Sequence, residues 1–237
     1  MKSLTCLQRS ILGYRRQLSA WTAAMLLLLA GCSDETVFKS NFDAGVVDQP
    51  PAATQAVGTA VVAGPTGSVL VANAPGDLNG NWLRLQRPNA DSGFPEFQGI
   101  LSQVQGKGRY TFSTFMFMPA GADTATIQFE QLTPANRFLH LDFLPDNQVR
   151  IDDNDATKFG TFPRDQPFIV QVTLDTTATP NAHVVLSGAG ASGITDYTIQ
   201  PSLQQYADQF GGMRLLIGFP HVGEFYANTV VVTRRSG

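Results

Sequence analysis

From residue 37 onward, apolar and polar residues alternate in short runs separated by turn residues. The clearest runs are 37–42, 56–63, 68–72, 82–86, 99–104, 109–118, 124–131, 137–144, 148–152, 168–175, 183–187, 195–199, 213–218 and 225–233. Most are 5 to 10 residues long, rich in Val, Ile, Thr and Phe, and bounded by Gly, Pro, Asn or Asp. A period of two in runs of this length predicts β-strands. Only Ser202–Phe210 reads as a helix, with Pro201 to start it and Gly211-Gly212 to stop it. Many short strands and one helix predict an all-β, two-sheet antiparallel sandwich. No repeat or long linker divides residues 37–237, which read as a single domain.

The alternation also assigns sides. Ile127, Phe129, Leu139, Leu141, Phe143, Val149 and Ile151 fall on one side of their strands, and Gln128, Glu130, His140, Asp142, Arg150 and Asp152 on the other. Val170, Val172 and Leu174 alternate in the same way with Gln171 and Thr173. Pro145-Asp146-Asn147 suits a hairpin turn. If consecutive strands neighbour each other, all these polar residues share one sheet face.

Residues 1–31 have a different pattern. Lys2, Arg9, Arg15 and Arg16 precede an apolar run from Leu18, which ends in Leu29-Ala30-Gly31-Cys32. Basic, then apolar, then small is the layout of a secretory signal. The run is shorter than the ~20 apolar residues of a membrane span. Leu29-Ala30-Gly31-Cys32 resembles the bacterial lipobox. That resemblance implies cleavage between Gly31 and Cys32, a lipid on Cys32, and a short tether over residues 32–36. Ser33 after the cysteine favours the outer over the inner membrane, with Asp34 a further sorting position. The expected location is the bacterial cell envelope.

Processing changes the charge. Residues 1–31 hold four of the sixteen basic residues and none of the nineteen acidic ones, so a chain starting at Cys32 carries a formal −7. That balance argues against nucleic-acid binding. It also offers no basic surface for anionic lipids, which leaves membrane affinity to the acyl chains. Cys6 lies in the leader and Cys32 would carry the lipid, so no disulfide is expected.

The order of the later segments resembles a concanavalin A-like (laminin G-like) jelly roll. The resemblance rests on Val37–Asp43, the long run Gly108–Phe117, Phe168–Asp175 ending in an acid, His183–Gly188, and the closing Glu224–Val232, where Asn228 stands in place of a frequent Asp. It implies a fold that hosts lectins, carbohydrate-binding modules, glycoside hydrolases, polysaccharide lyases and adhesion modules, so function must come from the site.

The candidate ligand site is the polar face Gln128, Glu130, His140, Asp142 and Arg150, with Arg84 and an aromatic platform at Trp82. Arg84 and Arg150 suit a uronate carboxylate. The glucanase pattern Glu-x-Asp-x-x-Glu is missing, and Glu35, Glu96, Glu130 and Glu224 are far apart in sequence. Gln128, His140, Arg150 and Tyr110 are the residue types of alginate-lyase-like jelly rolls. Asp152, Asp153 and Asp155 are oxygen donors suited to Ca²⁺, or an acidic hairpin that keeps a sheet edge soluble. His183 and His221 read as structural. The expected role is non-catalytic binding of an envelope polysaccharide by a lipid-anchored protein. The alternatives are a lyase acting on uronate-containing glycans, and a structural or protein-binding lipoprotein.

Overall fold

The computed structural model describes residues 34–131 and 136–235. Gly31 and Cys32 lie outside them. Fifteen strands form two sheets. They are β1 (Asp34–Ser40), β2 (Thr59–Ala63), β3 (Val69–Asn73), β4 (Asn81–Arg87), β5 (Glu96–Gln105), β6 (Arg109–Phe117), β7 (Ala125–Glu130) and β8 (Arg137–Phe143). There follow β9 (Val149–Ile151), β10 (Asn154–Phe159), β11 (Pro167–Asp175), β12 (Asn181–Ser187), β13 (Gly193–Thr198), β14 (Phe210–Leu216) and β15 (Gly223–Arg235). One sheet has the order β13-β12-β11-β6-β15-β4-β3, with β1 also on β15. The other has the order β10-β9-β8-β7-β14-β5-β2.

Each sheet turns its apolar side inward. Tyr110, Phe112, Val170, Val172, Leu83 and Phe225 from the first sheet meet Phe97, Ile127, Phe129, Leu139, Leu141, Met213 and Leu215 from the second. All are buried, as the alternation requires. Phe112 and Phe129 meet edge to face across the two sheets at 5.2 Å. At Gly99 an added Cβ would lie 2.8 Å from Phe38 and 2.7 Å from the Met213 sulfur, so glycine lets β1 close over β5. The core is drawn from residues 37–232, and Glu35–Gly237 is one compact unit.

Three local expectations are corrected. The helix α1 spans only Gln204–Ala207. Phe210 is the first residue of β14, paired with Gln105 and buried in the core, and a strand partner wins over weak helix propensity. Asn154–Phe159, where no strand was expected, is an edge strand on β9. Its Asp and Asn residues hide it from strand propensity. β1 already begins at Asp34, inside the stretch expected as a tether.

The larger correction concerns the polar face. Gln171 and Thr173 lie on β11, and Trp82 and Arg84 on β4. These strands belong to the eight-stranded sheet. Gln128, Glu130, His140, Asp142 and Arg150 lie on β7, β8 and β9 of the seven-stranded sheet. After β10 the chain crosses to the other sheet, so the neighbour rule fails there.

Candidate functional site

The outer face of the seven-stranded sheet is built by alternation and register. His140 is paired with Gln128, Gln128 with Arg214, Arg214 with Gln98 and Gln98 with Val61. The adjacent row runs Arg150, Asp142, Thr126, Leu216, Glu96 and Ala63. Arg150, Asp142, His140, Thr126, Gln128 and Arg214 each sit between two core residues of their own strand, as Arg214 does between Met213 and Leu215.

This face is recessed. Gln98, Thr126, Gln128, Glu130, His140, Asp142 and Arg214 are all buried, and Glu130 is 0% exposed. Charges at that depth need partners. Arg214 places Nη1 2.6 Å from Glu96 Oε1 and Nε 2.7 Å from Glu130 Oε2. Glu130 Oε1 accepts from the Gln98 amide. Arg150 reaches Asp142 at 3.0 Å, and Asp153 and Asp155 at 3.3 Å each. Asp142 also accepts from Thr126 Oγ1 at 2.8 Å.

The acidic turn completes this end. Asp152 and Asp153 are the two central residues between β9 and β10, both with positive φ (52° and 56°). A two-residue hairpin needs left-handed backbone at both positions, and Asp tolerates it better than most residues. The turn brings the carboxylates onto His140. Asp152 Oδ1 accepts from the His140 backbone N–H at 2.9 Å and lies 3.3 Å from Nδ1. Nε2 lies 3.2 Å from Asp153 Oδ2 and 3.7 Å from Asp142 Oδ2. Burial pushes the imidazole pKa down, but Asp152, Asp142 and Asp153 outweigh it, so His140 titrates above its ordinary value. Burial pushes Asp153 up; His140, Arg150 and Arg137 outweigh it and hold the carboxyl below its usual range.

Arg150 Nε and Asp152 Oδ2 are buried without a hydrogen-bond partner among the described residues, and Gln128 is a third polar group left over. Its side chain makes no hydrogen bond among the described residues, while His140 and Arg214 flank it. It stands on β7, the middle strand of this sheet.

Several expected site residues lie elsewhere. Trp82 is only 5% exposed and its indole N–H is directed to Asn79 O at 3.4 Å, so it offers no platform. Arg84 is paired with Tyr226 on the opposite sheet. Tyr110 is in the core, against Phe210, with its hydroxyl bonded to Gly106 O. His183 pairs with Asp196 at 2.7 Å and His221 with Asp123 at 3.2 Å. Sequence reading missed Arg214, Gln98, Glu96 and Thr126. The signal was present, since an arginine between two core residues of a strand must lie on the outer face.

The expected Ca²⁺ donors do not act together. Asp152 backs His140, while Asp153 and Asp155 hold Arg150. The donors that converge within 4.8 Å are His140, Asp142 and Asp153. One nitrogen and two oxygens do not fit the all-oxygen shell of Ca²⁺, and Arg150 already neutralises both carboxylates.

The expected absence of a basic surface also needs qualification. Lys107, Arg109, Arg234 and Arg235 line a hollow of about 740 Å³ with Glu35 and Thr177. Lys107 and Arg109 are paired there with Asp208 and Asp175.

No protein-family model matches the chain, and no curated relative matches it. Solved structures do. The alginate lyase Aly36B superposes with TM-score 0.52 at 10% identity, covering 86% of this chain and 97% of that one. The botulinum neurotoxin serotype G binding domain gives 0.50 at 8% identity over 86% and 48%. The Emp47p carbohydrate recognition domain gives 0.49 at 12% identity over 87% and 99%. At these identities the likeness shows the fold alone: an all-β antiparallel jelly-roll sandwich with one short helix.

Proposed function

We propose that the protein is a non-catalytic glycan-binding module whose ligand lies on the outer face of the seven-stranded sheet. The observation that carries this is the free Gln128 amide in a recessed floor whose charges are already paired. An amide offers both donors and an acceptor, which suits hydroxyl groups. An anionic sugar would have to displace Asp or Glu from Arg150 or Arg214, because each guanidinium is committed to two or three carboxylates. The favoured ligand is therefore a neutral polysaccharide. Two of the solved neighbours are by name a carbohydrate recognition domain and an alginate lyase, which fits a sugar ligand without arguing for one.

The same geometry gives the lyase reading little support. A lyase must neutralise the substrate carboxylate and take a proton with a free base. Here Arg150 is occupied, Tyr110 is in the core, and three carboxylates around His140 favour its charged form. The lipobox motif adds the proposal that Cys32 carries acyl chains, so that the module is displayed in the cell envelope, more on the outer than the inner membrane.

The test is thermal shift of residues 33–237 with neutral and acidic polysaccharides. A ligand that binds only the folded state raises the melting temperature. A shift with a neutral glycan that Gln128→Ala abolishes supports the proposal. A shift with alginate alone favours the uronate reading. No shift with either overturns both and favours a structural or protein-binding lipoprotein. Mass spectrometry of the membrane-extracted chain tests the lipid on Cys32.

A further inference from the structure

Two of the six large hydrophobic side chains that stand exposed among the described residues are aromatic: Phe94 at 49% and Phe219 at 70%. They belong to different loops but share one support. Arg87, at the end of β4, is only 1% exposed and pairs with no carboxylate among the described residues. Its guanidinium instead donates to four backbone carbonyls. Nε reaches Ser92 O at 3.0 Å and Nη2 reaches Ala90 O at 2.5 Å, in the loop before Phe94. Nη1 reaches Gly218 O at 3.2 Å and His221 O at 2.7 Å, on either side of Phe219. The guanidinium carbon lies 5.0 Å from the Phe94 ring centroid and 5.9 Å from that of Phe219. A buried cation spent on loop carbonyls fixes two otherwise irregular segments, and each presents one ring to solvent.

Their position relates them to the polar floor. Phe94 leads into β5 and Phe219 follows β14, neighbouring strands of the seven-stranded sheet. The pairing of Leu216 with Glu96 continues into the bond from Ile217 N–H to Pro95 O at 3.3 Å. Phe94 stands two residues before Glu96. Arg214 on the floor holds Glu96 at 2.6 Å. Both rings thus lie at the Glu96 end of these two strands, held there by Arg87.

We propose that Phe94 and Phe219 form an aromatic subsite that stacks on the C–H face of a pyranose ring, while the floor around Gln128 bonds hydroxyl groups of the same glycan. This rests on the glycan reading above and deepens it to a neutral sugar chain long enough to reach both. An aromatic ring supplies large contact area at little entropy cost, and stacking on C–H groups needs no charge, in keeping with the paired charges below.

The experiment is native affinity electrophoresis of residues 33–237, whose core is complete, through gels containing a soluble β-glucan, a galactomannan or an α-glucan. Phe94→Ala and Phe219→Ala should each weaken retardation about 3- to 10-fold. Phe94→Trp should keep it and Phe94→Leu should not. Exposed rings can be removed without loss of fold, which an unchanged melting temperature verifies. If the wild type is retarded and both alanine variants match it while Gln128→Ala is lost, the rim subsite is overturned and the floor stands. If the alanine variants are lost and Gln128→Ala is retained, the rim stands and the floor falls. Wild type unretarded in every gel overturns both.

Discussion

The two outer faces of this sandwich follow the same alternation yet are chemically unlike. On the seven-stranded sheet, Glu130, His140, Asp142 and Arg214 are buried and tied into ion pairs as short as 2.6 Å. On the eight-stranded sheet, Arg84, Gln171, Thr173 and Tyr226 are half-exposed, and the His183–Asp196 pair has side chains 44% and 82% exposed. One face is an internal polar network that happens to border solvent. On the other, these residues and the His183–Asp196 pair border solvent. A buried, paired charge is costly to disturb, whereas an exposed pair is screened and contributes little. The difference therefore predicts where substitutions should hurt.

The largest effect is expected at Arg214. Arg214→Met leaves Glu130 buried without its cation and should cost about 3–5 kcal/mol in denaturant unfolding. Arg84→Met on the opposite face should cost less than about 1 kcal/mol. Equal costs would end the contrast. Adding Glu130→Leu to Arg214→Met should recover much of the loss, because two apolar groups replace a pair that is expensive to bury.

A smaller effect concerns pH. The His140 pKa is raised in the folded chain, so its contribution is complete below the unfolded value of about 6.5. It is lost as pH rises through the folded value. Stability should therefore fall as pH rises above about 6.5, and His140→Gln should flatten that fall while His183→Gln leaves it in place. Asp153 has the opposite sign. Its carboxyl is held low, so its contribution is present above about 3.8 and lost as pH drops through the folded value. Asp152→Asn keeps a residue tolerant of positive φ but removes a carboxylate from His140. Imidazole NMR titration should then show a lower pKa; an unchanged value would mean that Asp152 does not hold the ring.

The smallest effect is expected from salt. Raising NaCl to about 1 M shortens the screening length to about 3 Å. It should weaken pairs such as Lys158–Asp155, 3.9 Å apart with the acid 76% exposed, before it touches Arg214–Glu130. Hydrogen exchange at β10 and β14 would separate them.

How much of this was legible varies from residue to residue. The run Leu139-His140-Leu141-Asp142-Phe143 assigned each side chain to its side, and the structure agrees. Pro145-Asp146-Asn147 marked the turn between β8 and β9, where Asn147 has φ 65°. Asn154–Phe159 was not legible, because its residues disfavour strands until a two-residue turn lays them beside β9. Phe94 and Phe219 gave no signal, since an exposed phenylalanine in a loop looks the same in sequence as a buried one.

The sequence by itself determined the all-β class, the parity of the central strands and most of the core, because side chains on a strand must alternate and apolar surface must be buried. It also carries the motif Leu29-Ala30-Gly31-Cys32. Only the tertiary structure decided which strands share a sheet, and so which polar residues share a face. Parity is a local property of the backbone, whereas strand order depends on where the chain crosses between layers. Strand order separated Trp82 and Arg84 from His140, joined Arg214 to Glu130 across 84 residues, and left Gln128 without a side-chain hydrogen bond among the described residues.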